Sequence, residues 1–64
     1  MVAGKIREYL QNNGIKQTWL AEQLDLPVTT FSGIINGKTA MKADMFIKIC
    51  KILNVRPEQF SDDE

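Results

Sequence analysis

Side chains that can coordinate a metal or attack a substrate are scarce in this sequence. It contains no histidine, and Cys50 is the one cysteine among 64 residues. A structural zinc site needs four ligands, and a thiol nucleophile needs a base beside it. The eight carboxylates do not converge in any pattern that predicts acid–base catalysis. We therefore expect no catalytic residue, no metal site, no cofactor and no small-molecule ligand, and we do not expect an enzyme.

Anion binding is the chemistry that the remaining charged residues favour. The whole chain is neutral, with eight lysines and arginines against eight acids. Four of the acids and none of the bases follow Pro57, so residues 1–57 carry a net charge of +4. Lys16 stands where a helix-capping Ser or Thr would be expected, and a cation there is unfavourable in the isolated protein. Lys16 therefore indicates either a phosphate contact or an ordinary solvated lysine at a poorly capped helix.

The composition is that of one small globular domain. Apolar residues make up 44% of the chain and charged residues 25%, and both fractions are typical of globular proteins. No run approaches the roughly 20 apolar residues that span a bilayer, and the N-terminus lacks the apolar core of a secretory signal. A single cysteine cannot form a disulfide within the chain and suits a reducing cytosol. We expect a cytoplasmic protein with no membrane partner, built as one domain over residues 1–61 with an acidic tail at 62–64.

The hydrophobic pattern predicts five helices and no strand. The first begins near Val2 and ends at Gly14, because glycine tolerates the left-handed conformation that ends helices. Further helices are expected at about residues 17–24, 28–36 and 42–53, and a short fifth from Pro57. The expected inward-facing residues are Val2, Ile6, Tyr9, Leu10, Leu20, Ala21, Leu24, Phe31, Ile34, Ile35, Phe46, Ile49, Cys50 and Leu53. Helix four carries apolar groups on more than one side, so we expect it to be central and nearly enclosed, with Phe60 folding back on the core.

Helix two, a tight three-residue turn and helix three have the spacing of a DNA-binding helix-turn-helix. The segment QTWLAEQLDLPVTTFSGIINGK resembles the Cro/lambda-repressor-like (Xre-type) family, with Gln17 opening helix two and Ala21 at its small inward position. The similarity continues through FIKICKILNV and PEQF. The resemblance implies a compact five-helix lambda-repressor-like DNA-binding domain with the helix-turn-helix at helices two and three. It also implies a bacterial or phage transcriptional regulator, expected to be a repressor, that inserts helix three in the major groove of double-stranded DNA, commonly as a homodimer.

The resemblance also assigns contact residues. Positions at which family members contact DNA phosphates are occupied here by Lys16, Gln17, Asn36, Lys38, Thr39 and Lys42. Positions at which they read bases are occupied by Val28, Thr29, Ser32 and Gly33. None of the four base-reading residues can make the bidentate Arg–guanine or Gln–adenine pair. Contact with thymine methyls and single hydrogen bonds from Thr29 and Ser32 remain, so DNA shape is expected to contribute much of the selection.

Two residues depart from the pattern of the family. Asp25 occupies the first turn position, where glycine is usual, and Asp is among the few other residues that tolerate a left-handed backbone. Pro27 stands where Ser or Thr normally caps helix three. Its side chain cannot accept a hydrogen bond from a backbone N–H, so the first turn of that helix is left with free donors.

The uncharged helix three leaves a second function open. The alternative is a protein–protein interaction module with the same fold that has lost DNA binding, which would suit the acidic tail and Trp19, a residue on the outer side of helix two. Trp19 either packs partly on a neighbouring helix or meets a partner. Gly33 costs helix stability, roughly 1 kcal/mol against alanine, and either permits close approach to DNA or to a protein, or has no such role. A positive rim around helix three would favour DNA, and a neutral apolar rim the interaction module.

Overall fold

Residues 2–60, the part of the chain that the computed structural model describes, form four α-helices and one 3-10 turn without a β-strand. The α-helices are α1 (Val2–Asn12), α2 (Gln17–Gln23), α3 (Val28–Ile35) and α4 (Ala43–Leu53). The all-α prediction is confirmed, but the predicted fifth helix is a single 3-10 turn over Pro57–Phe60. No helix within the described residues is long and apolar enough to cross a membrane. The acidic tail predicted at 62–64 lies outside the described residues.

All four α-helices end in the same backbone arrangement. A left-handed residue ends each helix, with φ of 65° at Gly14, 59° at Asp25, 80° at Gly37 and 58° at Asn54. This residue follows the C-cap of α2 and of α3, and it is the C-cap itself in α4. At the end of α2, the N–H of Asp25 donates to the Glu22 carbonyl (3.0 Å) and the N–H of Leu26 donates to the Ala21 carbonyl (3.0 Å). This is the Schellman pattern, which satisfies the last carbonyls of a helix. The left-handed turn predicted at Asp25 is therefore confirmed.

The helix starts are satisfied less completely than the helix ends. Lys16, Pro27 and Lys42 precede α2, α3 and α4, and their side chains make no capping hydrogen bond. The missing caps predicted at Lys16 and Pro27 are confirmed. An uncapped start leaves first-turn N–H groups available to solvent or to a ligand.

The core takes side chains from every element. Ile6, Leu20, Phe31 and Ile49 are fully buried, one from each α-helix. Phe60 folds back on them as predicted and is buried, and its ring packs edge-on against Tyr9 (centroids 5.6 Å apart) and Phe46 (6.4 Å). Edge-to-face pairs add roughly 0.5–1.5 kcal/mol beyond the area that they bury. The 3-10 turn thus closes the domain against α1 and α4.

Helix α4 is less enclosed than the sequence predicts. Its buried residues are Ile49 and Cys50, whereas Phe46 and Leu53 are half-buried and Ile47 is 48% exposed. The expectation of a central, nearly enclosed helix is wrong. The physical reason is chain length, because so small a domain buries only part of its apolar surface. One stripe of α4 packs on the core, and no further element within residues 2–60 covers the other side.

Candidate nucleic-acid interface

An open depression of about 630 Å³ lies between the start of α2 and the outer face of α3. Its lining consists of Lys16, Gln17, Thr18, Val28, Thr29 and Ser32. Two residues predicted to contact phosphates, Lys16 and Gln17, therefore border three of those predicted to read bases. Val28, the first residue of α3, is 42% exposed and contributes apolar surface to this depression. The geometry brings a cation, amide and hydroxyl groups and apolar surface together on one concave face.

A second depression, of about 270 Å³, lies on the other side of α3, where the loop after it meets α4. Its polar lining includes Thr39 and Lys42, both predicted to contact phosphates, together with Lys48 and Asp44. Asp44 also accepts a hydrogen bond from the N–H of Met45 (2.9 Å). Lys38 is exposed in the loop between α3 and α4. The predicted contact residues therefore flank α3 on both sides.

Asn36, at the end of α3, links that helix to α1 through its side chain. Arg7 of α1 donates from Nη1 to Asn36 Oδ1 (2.8 Å). Asn36 Nδ2 donates to the Ser32 carbonyl oxygen (2.9 Å) and to Ser32 Oγ (3.2 Å). The amide nitrogen is thus engaged within the chain, and the cation at this end of α3 is Arg7. Sequence reasoning placed Asn36 at a phosphate but did not include Arg7.

Gly33 faces the loop of its own chain. Its carbonyl oxygen accepts hydrogen bonds from the N–H groups of Lys38 (2.9 Å) and Thr39 (3.2 Å). A Cβ atom on Gly33 would lie 3.6 Å from Thr39 Oγ1, which is an ordinary van der Waals distance. The loop after α3 therefore folds closely against the helix at Gly33 and still leaves room for a Cβ atom there. Its assignment as a base contact stays a prediction.

Exposed cations from four parts of the chain surround the uncharged face of α3. They are Arg7 on α1, Lys16 before α2, Lys38 in the loop after α3, and Lys42 and Lys48 at the start and middle of α4. Asp44 is the acid that shares a depression with two of them. Asp25, in the turn that precedes α3, is a second exposed acid near this face. The five cations outnumber these two acids, so the rim around α3 is positive. By the criterion set by the sequence, a positive rim favours DNA as the partner.

Three residues of this surface were missed by sequence reasoning. Arg7 reaches Asn36 across 29 positions of sequence, so no local pattern reveals the contact. Lys48 enters the second depression because α4 passes the end of α3. Thr18 lines the first depression next to Gln17, and its position beside a predicted contact residue was the one available signal.

An apolar groove of about 470 Å³ adjoins the first depression. Its lining includes Ile15, Trp19, Ile52 and Leu53, and Lys16 borders both hollows. Trp19 is 43% exposed, so it does lie on the outer side of α2 as predicted, half-covered by its own chain. The prediction of a partner for this residue stays a prediction.

Potential metal ligands and nucleophiles contribute little to the described part of the chain. No group of three or more potential metal ligands occurs among residues 2–60. Burial raises the pKa of the Cys50 thiol, and the nearby Glu58 carboxylate raises it further. A buried thiol with a raised pKa is a poor nucleophile. Cys50 therefore serves as a small apolar residue in the core.

Comparison with known proteins gives one match. The family model described as the Cro/C1-type HTH DNA-binding domain matches residues 5–64. No curated protein and no solved structure matches the chain. The matched range includes α2, α3 and both depressions.

Proposed function

The chain belongs to the Cro/C1-type HTH DNA-binding domain family, and from this premise we propose that it is a sequence-specific transcriptional repressor that inserts α3 in the major groove. The family supports a DNA-binding regulator in general. The observation that carries the finer proposal is the ring of exposed cations around an uncharged, exposed helix face. Cations contact phosphates and fix the position of a protein on the duplex, while the face between them meets the bases.

The phosphate contacts divide between the two sides of α3. On one side, Lys16 and Gln17 border the depression that also contains the base-facing residues. On the other side, Thr39, Lys42 and the exposed Lys38 follow the helix. Asn36 lies between them, and it approaches a phosphate together with Arg7, whose guanidinium it holds. Contacts on both sides of a recognition helix suit the two phosphate backbones that border a major groove.

Base readout on this face is chemically modest. Val28 and the methyl group of Thr29 can contact thymine methyls, and the hydroxyls of Thr29 and Ser32 can each make a single hydrogen bond. Gly33 adds no side chain to the groove. Discrimination per contact is therefore smaller than for a bidentate Arg–guanine pair, and sequence-dependent DNA shape supplies the rest.

The biological setting follows from the same family. We propose a bacterial or phage cytoplasmic protein that acts as a homodimer on two half-sites, one domain per subunit over residues 1–61. A domain of this size covers a single half-site, and two half-sites about one helical turn apart raise both affinity and specificity. The interaction-module alternative has less support, because the rim of α3 is positive and not neutral and apolar.

Fluorescence anisotropy on duplexes selected from a random pool tests the proposal. Lys16→Ala and Lys38→Ala should weaken binding to all sequences alike and leave the order of preference unchanged. With Arg7, Lys16, Lys38 and Lys42 at phosphates in each of two subunits, eight cations contact the DNA, and the log–log salt slope should be roughly −7. Lys51→Ala is the matched control, because Lys51 is exposed on α4 and lines neither depression. The absence of DNA binding at low salt would refute the proposal, and an equal effect of Lys51→Ala would refute the assigned phosphate contacts.

A further inference from the structure

We propose that Arg7 and Asn36 are positioning residues that make the Ser32 hydroxyl a hydrogen-bond donor toward DNA. Ser32 would then select base edges that carry acceptors, namely purine N7, guanine O6 or thymine O4, over the amino group of cytosine. This inference rests on the proposed function, because it specifies which base edges the α3 face recognises. It is carried by the hydrogen bonds that join the three side chains.

The orientation of the Asn36 amide is set by Arg7. A guanidinium group has donors only, so the amide atom that faces Arg7 Nη1 at 2.8 Å must be the oxygen. The amide nitrogen consequently faces Ser32, where it donates to the carbonyl oxygen (2.9 Å) and to Oγ (3.2 Å). The direction of hydrogen bonding therefore runs from Arg7 through Asn36 to Ser32.

The Ser32 hydroxyl then has a hydrogen to give. A hydroxyl carries one hydrogen and two lone pairs, and Asn36 Nδ2 occupies one lone pair. Serine inside a helix often donates to the carbonyl four residues earlier. Within residues 2–60, however, the Ser32 hydroxyl donates no hydrogen bond. Its hydrogen is free, and a hydroxyl that accepts one hydrogen bond donates the next one more strongly.

The free hydrogen belongs to a side chain on the candidate base-reading face. Ser32 is half-buried and lines the depression together with Val28 and Thr29. Major-groove edges differ in what they offer such a donor, because guanine presents two acceptors, adenine N7 and thymine O4 one each, and cytosine an amino donor. Acceptor edges opposite Ser32 are therefore favoured over cytosine, which can use only the one lone pair that Asn36 leaves on the hydroxyl. This preference cannot be read from the serine alone, since a hydroxyl can donate or accept.

The substitution Asn36→Asp reverses the direction of the last hydrogen bond with little change of shape. A carboxylate accepts from Arg7 as the amide oxygen does, but it has no hydrogen for Ser32. The hydroxyl must then donate to the carboxylate, and it presents only lone pairs to DNA. The added negative charge weakens binding to every duplex, so the informative quantity is the ratio of Kd values between duplexes that differ at one base pair.

The experiment begins with the parent protein and a duplex selected from a random pool. Ser32→Ala identifies the base pair that faces Ser32, as the position where preference falls by about threefold to tenfold, the range expected for one net hydrogen bond. Asn36→Asp should move the preference at that position toward cytosine, by a similar factor, while preferences elsewhere stay as in the parent. Asn36→Asp combined with Ser32→Ala is the control, and it should show no preference there. Circular dichroism verifies that each variant is folded.

Other results overturn the inference in distinguishable ways. If Asn36→Asp keeps the parent's preference at that base pair, the hydroxyl does not act as the proposed donor, although DNA recognition by α3 stands. If Ser32→Ala changes no preference at any position, Ser32 does not read bases. If the parent recovers no sequence from the pool, the proposed function and this inference both fail.

Discussion

Gly33→Ala tests whether α3 needs a glycine at this position for folding or for close approach to DNA. Glycine in a helix costs roughly 1 kcal/mol relative to alanine, and Gly33 lies near the end of α3, where the benefit of alanine is smaller. The new Cβ would lie 3.6 Å from Thr39 Oγ1, so it fits without displacing the loop. We therefore expect the free energy of unfolding to rise by about 0.5–1 kcal/mol, which in a domain of this size raises Tm by roughly 2–8 °C.

Two other glycines make the comparison sharp. Gly4, inside α1, has no atom within 4 Å of an added Cβ, so Gly4→Ala changes helix propensity alone. Gly14 has a φ of 65°, and Gly14→Ala should lower the free energy of unfolding by about 1 kcal/mol because alanine is strained there. Thermal unfolding followed by circular dichroism measures all three variants. A loss of stability in Gly33→Ala would refute the reasoning, since it would mean that the position tolerates no Cβ.

The same variant separates stability from recognition. The Cβ of Gly33→Ala points at Thr39 and away from the depression that contains Ser32. We expect the affinity for a selected duplex to change by less than about twofold. Gly33→Leu is different, because its longer side chain must displace Thr39 and the loop, and binding should fall strongly. If Gly33→Ala alone abolished binding, DNA would approach the backbone of α3 at this residue more closely than the loop does.

Three further predictions concern the scaffold. Ile49→Ala should lower the free energy of unfolding by about 2–5 kcal/mol in urea titrations because Ile49 is fully buried, whereas Ile47→Ala, at a side chain that is 48% exposed, should change it by less than about 1 kcal/mol. Asp25→Gly should raise the free energy of unfolding by on the order of 1 kcal/mol, and Tm by a few degrees, because glycine adopts a left-handed backbone without strain. For Cys50 the folded-state pKa is raised above its ordinary value of 9.0, so the unfolded chain ionises first and stability falls as the pH rises above about 9. Urea titrations at pH 8 and pH 10 should show that the free energy of unfolding falls less between the two pH values for Cys50→Ala than for the parent.

The fold was largely predictable from local chemistry. The predicted helix boundaries agree with the structure to within a residue or two at Gly14, Asp25 and Pro57. These signals are reliable because a left-handed residue or a missing N–H acts on its own turn of helix. The burial of α4 was predicted wrongly, because apolar residues on two sides of a helix do not reveal how much chain is available to cover them.

The candidate site was predictable only where its residues are close in sequence. Lys16, Val28 and Thr29 come together because the turn between α2 and α3 is short, and the spacing of a helix-turn-helix already implies it. Arg7 and its hydrogen bond to Asn36 depend on how α1 crosses the end of α3. That crossing is determined by packing of the whole core, so the direction of hydrogen bonding at Ser32 could not be predicted from the sequence.

The ends of α1 and α3 also affect how fast the protein deamidates. Each carries an Asn-Gly pair, the sequence most prone to deamidation, in which the glycine nitrogen attacks the asparagine side chain and ammonia leaves. In the folded chain, Asn13 Nδ2 donates to the Tyr9 carbonyl (2.8 Å), as Asn36 Nδ2 does to that of Ser32. The attacking N–H groups of Gly14 and Gly37 donate to carbonyls as well. The hydrogen bonds at the helix ends thus protect both asparagines from deamidation in the folded chain. The fraction of time that the chain spends unfolded therefore controls the rate of deamidation.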